Sequence, residues 1–167
     1  ATVYLVADAA NRVPELRRRI RGEQVVEHEV VHPSFSVATE QADVFSFCEV
    51  PFGRPFTGFA AAAQERMEIM RTAPVFADEP GRDDYLFLSA FPWTAFTAVT
   101  QPVPLSPPDS VPRIVWGRVA PQGLDGSGPL ALSVSIQAHH AVVDGRHLAR
   151  FFELLQASFN APAAVLG

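Results

Sequence analysis

The chain has 167 residues, 48% of them apolar, and a formal net charge of −5, which suits one domain with a sizeable core. The acidic balance disfavours nucleic acid as a partner, and all thirteen basic residues are Arg, which excludes lysine Schiff-base chemistry. The single cysteine, Cys48, excludes an intrachain disulfide and a cysteine-built zinc site, and fits a reduced, cytoplasmic setting. No apolar run reaches the roughly 18 residues of a membrane span, and the first residues lack a signal-peptide pattern.

In chain order, residues Thr2 to Asn11 read as an apolar helix. Pro14 suits the first turn of a second helix, Val13 to Ile20. The run Arg17, Arg18, Arg19 and Arg21 has two readings, a solvated helix face or a phosphate contact. Two β-rich stretches follow, Gln24 to Val31 and Phe35 to Thr39, with His32-Pro33 as the break between them; Val44 to Phe52 is a third. Phe56 to Arg71 is a helix with Phe59, Ala63, Met67 and Met70 on a core-facing stripe. A loop from Ala73 to Arg82 leads to a strand from Tyr85 to Phe91, then Pro92-Trp93, then a short strand from Phe96 to Thr100. Five prolines make Gln101 to Pro112 a loop. Arg113 to Val119 is a strand, and Pro121 to Pro129 a glycine-rich hairpin connection.

The C-terminal unit concentrates the chemistry. From Ala131 apolar and polar residues alternate, with Leu132, Val134, Ile136, Ala138 and His140 on one parity and Ser133, Ser135, Gln137 and His139 on the other. A strand running to His140 puts that imidazole on the apolar face near a strand end. Leu148, Phe151, Phe152, Leu155 and Phe159 then recur at helical spacing, with Asp144 at the N-cap position and Gly145 after it. The bland reading is a surface or core histidine followed by an ordinary Asp-Gly turn. Seven strands in a run, with helices not regularly interleaved, predict an α+β fold: a mixed sheet with helices on one face, over one domain from 1 to 167.

His140, Asp144, the Pro-Trp element and the order of elements together resemble the chloramphenicol acetyltransferase family. The resemblance runs over nearly the whole chain. It is carried by residues 3–11, Glu15-Leu16-Arg17, Phe35-Ser36-Val37, Phe45-Ser46, Ser89-Ala90-Phe91-Pro92-Trp93 and above all Ser135 to Gly145 with His147, Ala149, Arg150 and Phe151. It implies a two-layer α/β sandwich and an acetyl-coenzyme A-dependent O-acetyltransferase without a metal, such as confers antibiotic resistance. It also implies a homotrimer with active sites between subunits. His140 becomes the general base and Ser89 the oxyanion donor. Asp144 becomes structural at the site, with Gly145 beside it. Phe45 and Phe76 line the acceptor pocket, each with a plain core reading as well. Trp93 and Ser46 fall on the coenzyme A side.

This sequence also departs from the family pattern. Val115 stands where the family has a tunnel-lining Thr, and a Val near 119 where it has a Tyr. About fifty further family residues precede the point matching Ala1, and among them is the arginine that pairs with Asp144. Two other readings stay open: a dihydrolipoamide acyltransferase-type catalytic core, and a non-catalytic scaffold with the same fold.

Overall fold

The computed structural model describes residues 1–41, 43–104, 109–122 and 127–167. In chain order it contains α1 (Thr2–Asn11), a 3-10 turn (Pro14–Arg17), β1 (Arg18–Arg21), β2 (Gln24–Glu27), β3 (His32–Ala38), β4 (Phe45–Glu49), α2 (Phe56–Thr72), β5 (Tyr85–Ala90), β6 (Arg113–Pro121), β7 (Leu130–Gln137), α3 (Gly145–Asn160) and α4 (Ala163–Leu166). β1 and β2 form a small hairpin. The other five strands form a mixed sheet in the order β4-β3-β5-β6-β7. β3, β5 and β6 run parallel, and the edge strands β4 and β7 run antiparallel to their neighbours. The fold is α+β, as expected.

Strand pairing sorts the side chains by face. Cys48, Phe35, Leu88, Ile114 and Ile136 stand opposite one another across all five strands. This row belongs to the hydrophobic core with residues of α1, α2 and α3. The next row, Glu49, Ser34, Phe87, Arg113 and Gln137, crosses the same strands on the opposite face. The helices therefore cover one face of the sheet. α1 is so apolar that every residue from Tyr4 to Ala10 is buried, between the sheet and α3. Among the described residues, no helix is long and apolar enough to cross a membrane.

Several local expectations are corrected. The helix expected from Val13 to Ile20 is a 3-10 turn followed by β1. Arg19 is fully buried rather than on a solvated face. Its guanidinium donates to the carbonyls of Asp83 (2.6 Å), Tyr85 (2.5 Å), Leu16 (3.1 Å) and Arg18 (2.7 Å), and burial lowers its pKa to about 10. It ties the β1–β2 hairpin to the entry of β5. His32-Pro33 does not break a strand but begins β3; the His32 N–H donates to Asp84 O (2.8 Å), and the Pro33 carbonyl accepts from Val50 N (3.1 Å). A proline is tolerated there because it lies at the strand's start. No strand forms over Phe96–Thr100, whose chain instead folds back over β6. On α2, Phe59 and Met70 are buried, but Met67 is exposed.

Candidate active site

The turn between β7 and α3 carries both histidines of the motif. β7 ends at Gln137, three residues before His140. The chain must leave the sheet there because Val142 and Val143, both buried, turn back into the core. Their N–H groups both donate to the His139 carbonyl at 3.1 Å. The expected extension of the strand to His140, with that ring on the apolar face, is therefore not realised: His140 is exposed at the crest of the turn. It makes no hydrogen bond among the described residues, whereas His139 is half-buried and its Nδ1 accepts from Ala141 N (3.2 Å). Strand parity does not separate the two rings; their partners do.

Asp144 takes the N-cap of α3. Its Oδ1 accepts from Arg146 N (2.9 Å) and His147 N (3.3 Å), and His147 Nδ1 accepts from Asp144 N (3.1 Å), closing a reciprocal cap. The His147 N–H bond, aided by that of Arg146, holds the Asp144 carboxyl below its usual range. His147 also lies 3.7 Å from Glu15, which pairs with Arg18 at 3.3 Å. Asp144 thus anchors the helix start and remains exposed. Gly145 opens α3 with open space where a Cβ would stand, so the backbone alone does not require a glycine there.

Ser89 lies on the open face, level with Val115 and Ser135. Gln137 lies one row away, in the direction in which the chain runs on to His140. With two strand spacings across and two residues along, Ser89 and Gln137 are about 12 Å apart at Cα, and His140 lies three residues further on. Ser89 also borders a cleft of about 740 Å³ under α2, lined by Phe35, Phe59 and Met67 among others.

The residues expected at the acceptor and coenzyme A sides fall in two places. Phe45 and Phe76 are 53% and 62% exposed, so neither is a core residue. Phe45 begins the edge strand β4 and packs edge-on against Phe47 with ring centres 5.6 Å apart. Phe76 follows Val75, whose carbonyl accepts from Phe47 N (2.8 Å) and whose N–H donates to Ser46 Oγ (2.8 Å). Ser46 is fully buried, and its hydroxyl is committed to the backbone. Trp93 is 81% exposed, on the turn that leaves β5.

That turn also brings Thr94 and Phe96 against Gly117 and Arg118 of β6. Thr94 O accepts from Arg118 N (2.8 Å), and a Cβ on Gly117 would stand 2.9 Å from the same oxygen and 3.2 Å from the Phe96 ring. Gly117 therefore lets the Trp93 turn lie against β6, beside the exposed Arg118. Pro92 and Arg118 line a groove of about 930 Å³ between β6, β7 and α3. A glycine inside a strand pattern is the signal that marks such a close approach.

Comparison with known proteins identifies the family. A family model described as chloramphenicol acetyltransferase matches residues 1–156. The chain is 30% identical over 159 residues to chloramphenicol acetyltransferase 3 of Escherichia coli, covering 95% of this chain and 73% of the relative. It is 27% identical to the chloramphenicol acetyltransferase of Bacillus pumilus, covering 92% and 69%. A solved chloramphenicol acetyltransferase structure superposes with a TM-score of 0.75 at 23% identity, over 93% of this chain and 74% of that one. The cubic core of a pyruvate dehydrogenase multienzyme complex superposes with a TM-score of 0.73, also at 23% identity, over 99% and 70%. The chain belongs to the chloramphenicol acetyltransferase family.

Proposed function

We propose that the chain is an O-acetyltransferase that moves the acetyl group of acetyl-coenzyme A to a hydroxyl of a small acceptor, with chloramphenicol the first acceptor to test. The observation that carries this reading is the exposed, unpartnered imidazole of His140 on the β7–α3 turn of a chain in this family. His140 takes the proton of the acceptor hydroxyl as that oxygen bonds to the thioester carbonyl carbon. The Ser89 hydroxyl donates to the oxyanion so formed. His140 then returns the proton to sulfur as the carbon–sulfur bond breaks, leaving an acetyl ester and free coenzyme A.

Two groups acting on one carbon must lie within a few ångströms of it, and the strand register puts Ser89 two strands away from β7, beyond whose end His140 lies. This supports a site assembled from two copies, with the histidine of one facing the open sheet of the next, as in a homotrimer. Asp144 and Gly145 shape the turn that presents His140. Phe45 and Phe76 supply an aromatic acceptor wall. Trp93 offers its ring to coenzyme A, and Arg118 beside its turn offers a cation for the phosphates.

A thiol-release assay with acetyl-coenzyme A and a panel of hydroxylated acceptors tests the reading. Turnover with a hydroxyl acceptor that disappears in His140→Ala is expected. Turnover only with dihydrolipoamide would turn the reading to the dihydrolipoamide acyltransferase type, and coenzyme A binding without turnover on any acceptor would turn it to a scaffold.

A further inference from the structure

Ser46 holds a different place from the coenzyme A contact expected of it. The segment from Val75 to Arg82 arches across the edge of β4 and is strapped down at both ends. At one end Val75 is held through both backbone groups, its carbonyl by Phe47 N and its N–H by Ser46 Oγ, each at 2.8 Å. At the other, Arg82 pairs with Glu49 at 2.7 Å and with Asp84 at 2.8 Å, with its guanidinium 4.8 Å from the Tyr85 ring centre. Gly81, at φ +80°, supplies the left-handed turn between. Between the arch and the strands lies a cavity of about 340 Å³ bordered by Ser34, Phe47, Glu49, Val75 and residues 77–80. The Ser46 side chain itself is fully buried on the helix-covered side.

We infer that Ser46 is a positioning residue for the acceptor: its hydroxyl clasps Val75 and so sets Phe76 on the sheet edge that also carries Phe45. Val75 has no strand of its own, so one side-chain oxygen takes the part that a ladder carbonyl would play. Removing that oxygen leaves the Val75 N–H without its acceptor and loosens that end of the arch, which the Phe47 N–H then holds through the Val75 carbonyl alone. Phe76, the next residue, then loses its fixed place. This inference rests on the acetyl-transfer reading for the identity of its ligand, but the clasp itself is testable without turnover.

The experiment uses the full chain as wild type, Ser46→Ala, Ser46→Thr, Phe76→Ala and the double variant Ser46→Ala/Phe76→Ala. Hydrogen exchange at the Val75 amide is expected to accelerate about tenfold in Ser46→Ala, the loss of one net hydrogen bond, and to recover in Ser46→Thr. Acceptor KM is expected to rise about tenfold in Ser46→Ala while acetyl-coenzyme A KM moves less than about twofold. In the Phe76→Ala background, removing the Ser46 hydroxyl should add nothing further, because it acts through Phe76. A rise in acetyl-coenzyme A KM instead, additive losses, or unchanged exchange at Val75 would overturn the inference. Should wild type transfer acetyl to no acceptor, the reading of the reaction falls by itself. The same variants titrated calorimetrically with chloramphenicol then decide the role of Ser46: tighter binding by wild type than by Ser46→Ala sustains it, and equal or absent binding ends it.

Discussion

Leu88 and Ser89 are neighbours in β5 and belong to different regimes. Leu88 faces α1 to α3 in a row of apolar side chains that crosses the whole sheet, and is buried. Ser89 faces the other way, on a surface of serines, aromatics and an Arg113–Asp109 pair that no helix covers among the described residues, although Val115 and Tyr85 on that face are buried. The strands are shared, so the pleat alone divides them. One face carries the main core, and the other, which is less completely buried, leaves Ser89 partly exposed. Substitutions on the two faces should therefore separate stability from activity.

The largest effect is expected at the turn beside the sheet. His140→Ala should lower kcat/KM by about 10²–10⁴-fold with the melting temperature unchanged, because the ring is exposed and unpartnered. His139→Ala should keep most activity, since that ring only braces Ala141. Equal loss of activity in both, with normal melting, would remove His140 from its role. Leu88→Ala and Ser89→Ala test the two faces directly. Leu88→Ala should cost about 2–5 kcal/mol of unfolding free energy in denaturant titration. Ser89→Ala should leave stability nearly unchanged and lower kcat about 10²–10³-fold. If Ser89→Ala unfolds the protein instead, the open face is structural.

Smaller effects come from the ties between regions. Asp144→Ala should lower the melting temperature, and Asp144→Asn should retain most of the cap, as both side chains accept from helix N–H groups. The smallest effect concerns His32 at the start of β3. Its Nδ1 accepts from Phe52 N at 2.9 Å, and burial lowers its pKa, with nearby Asp84 opposing. The unfolded chain therefore binds a proton that the folded one resists. The stability gained is complete above the unfolded value of about 6.5 and is lost as the pH falls below it. Melting temperature against pH should show this decline between about pH 7.5 and 5, and His32→Asn, which can keep an acceptor, should flatten it.

The course of the arch from Val75 to Arg82 and the proposed site between copies share one property: both depend on pairings between distant residues. Neither Ser46 nor Val75 is unusual in sequence, and they meet through one hydrogen bond that spans 29 residues of chain. Likewise, four carbonyls from two separated segments, Leu16–Arg18 and Asp83–Tyr85, bury Arg19, in a run of arginines that locally looks like a solvated face.

The class of fold, the order of most elements, the alternation of β7, the amphipathic α3 and its Asp144 cap are legible in the residues alone. These are local properties, written in periods of two and 3.6 residues and in the orphan N–H groups of a helix start. The sequence's resemblance to a known family also singled out His140 and Ser89. Tertiary structure alone decided where β7 stops, because two valines five and six residues past Gln137 must enter the core. It alone exposed Phe45 and Phe76, which composition would bury, and it alone set Ser89 two strands away from β7, the strand that leads to His140. Strand register and the depth of a core are sums over many remote contacts, and no window of neighbouring residues contains them.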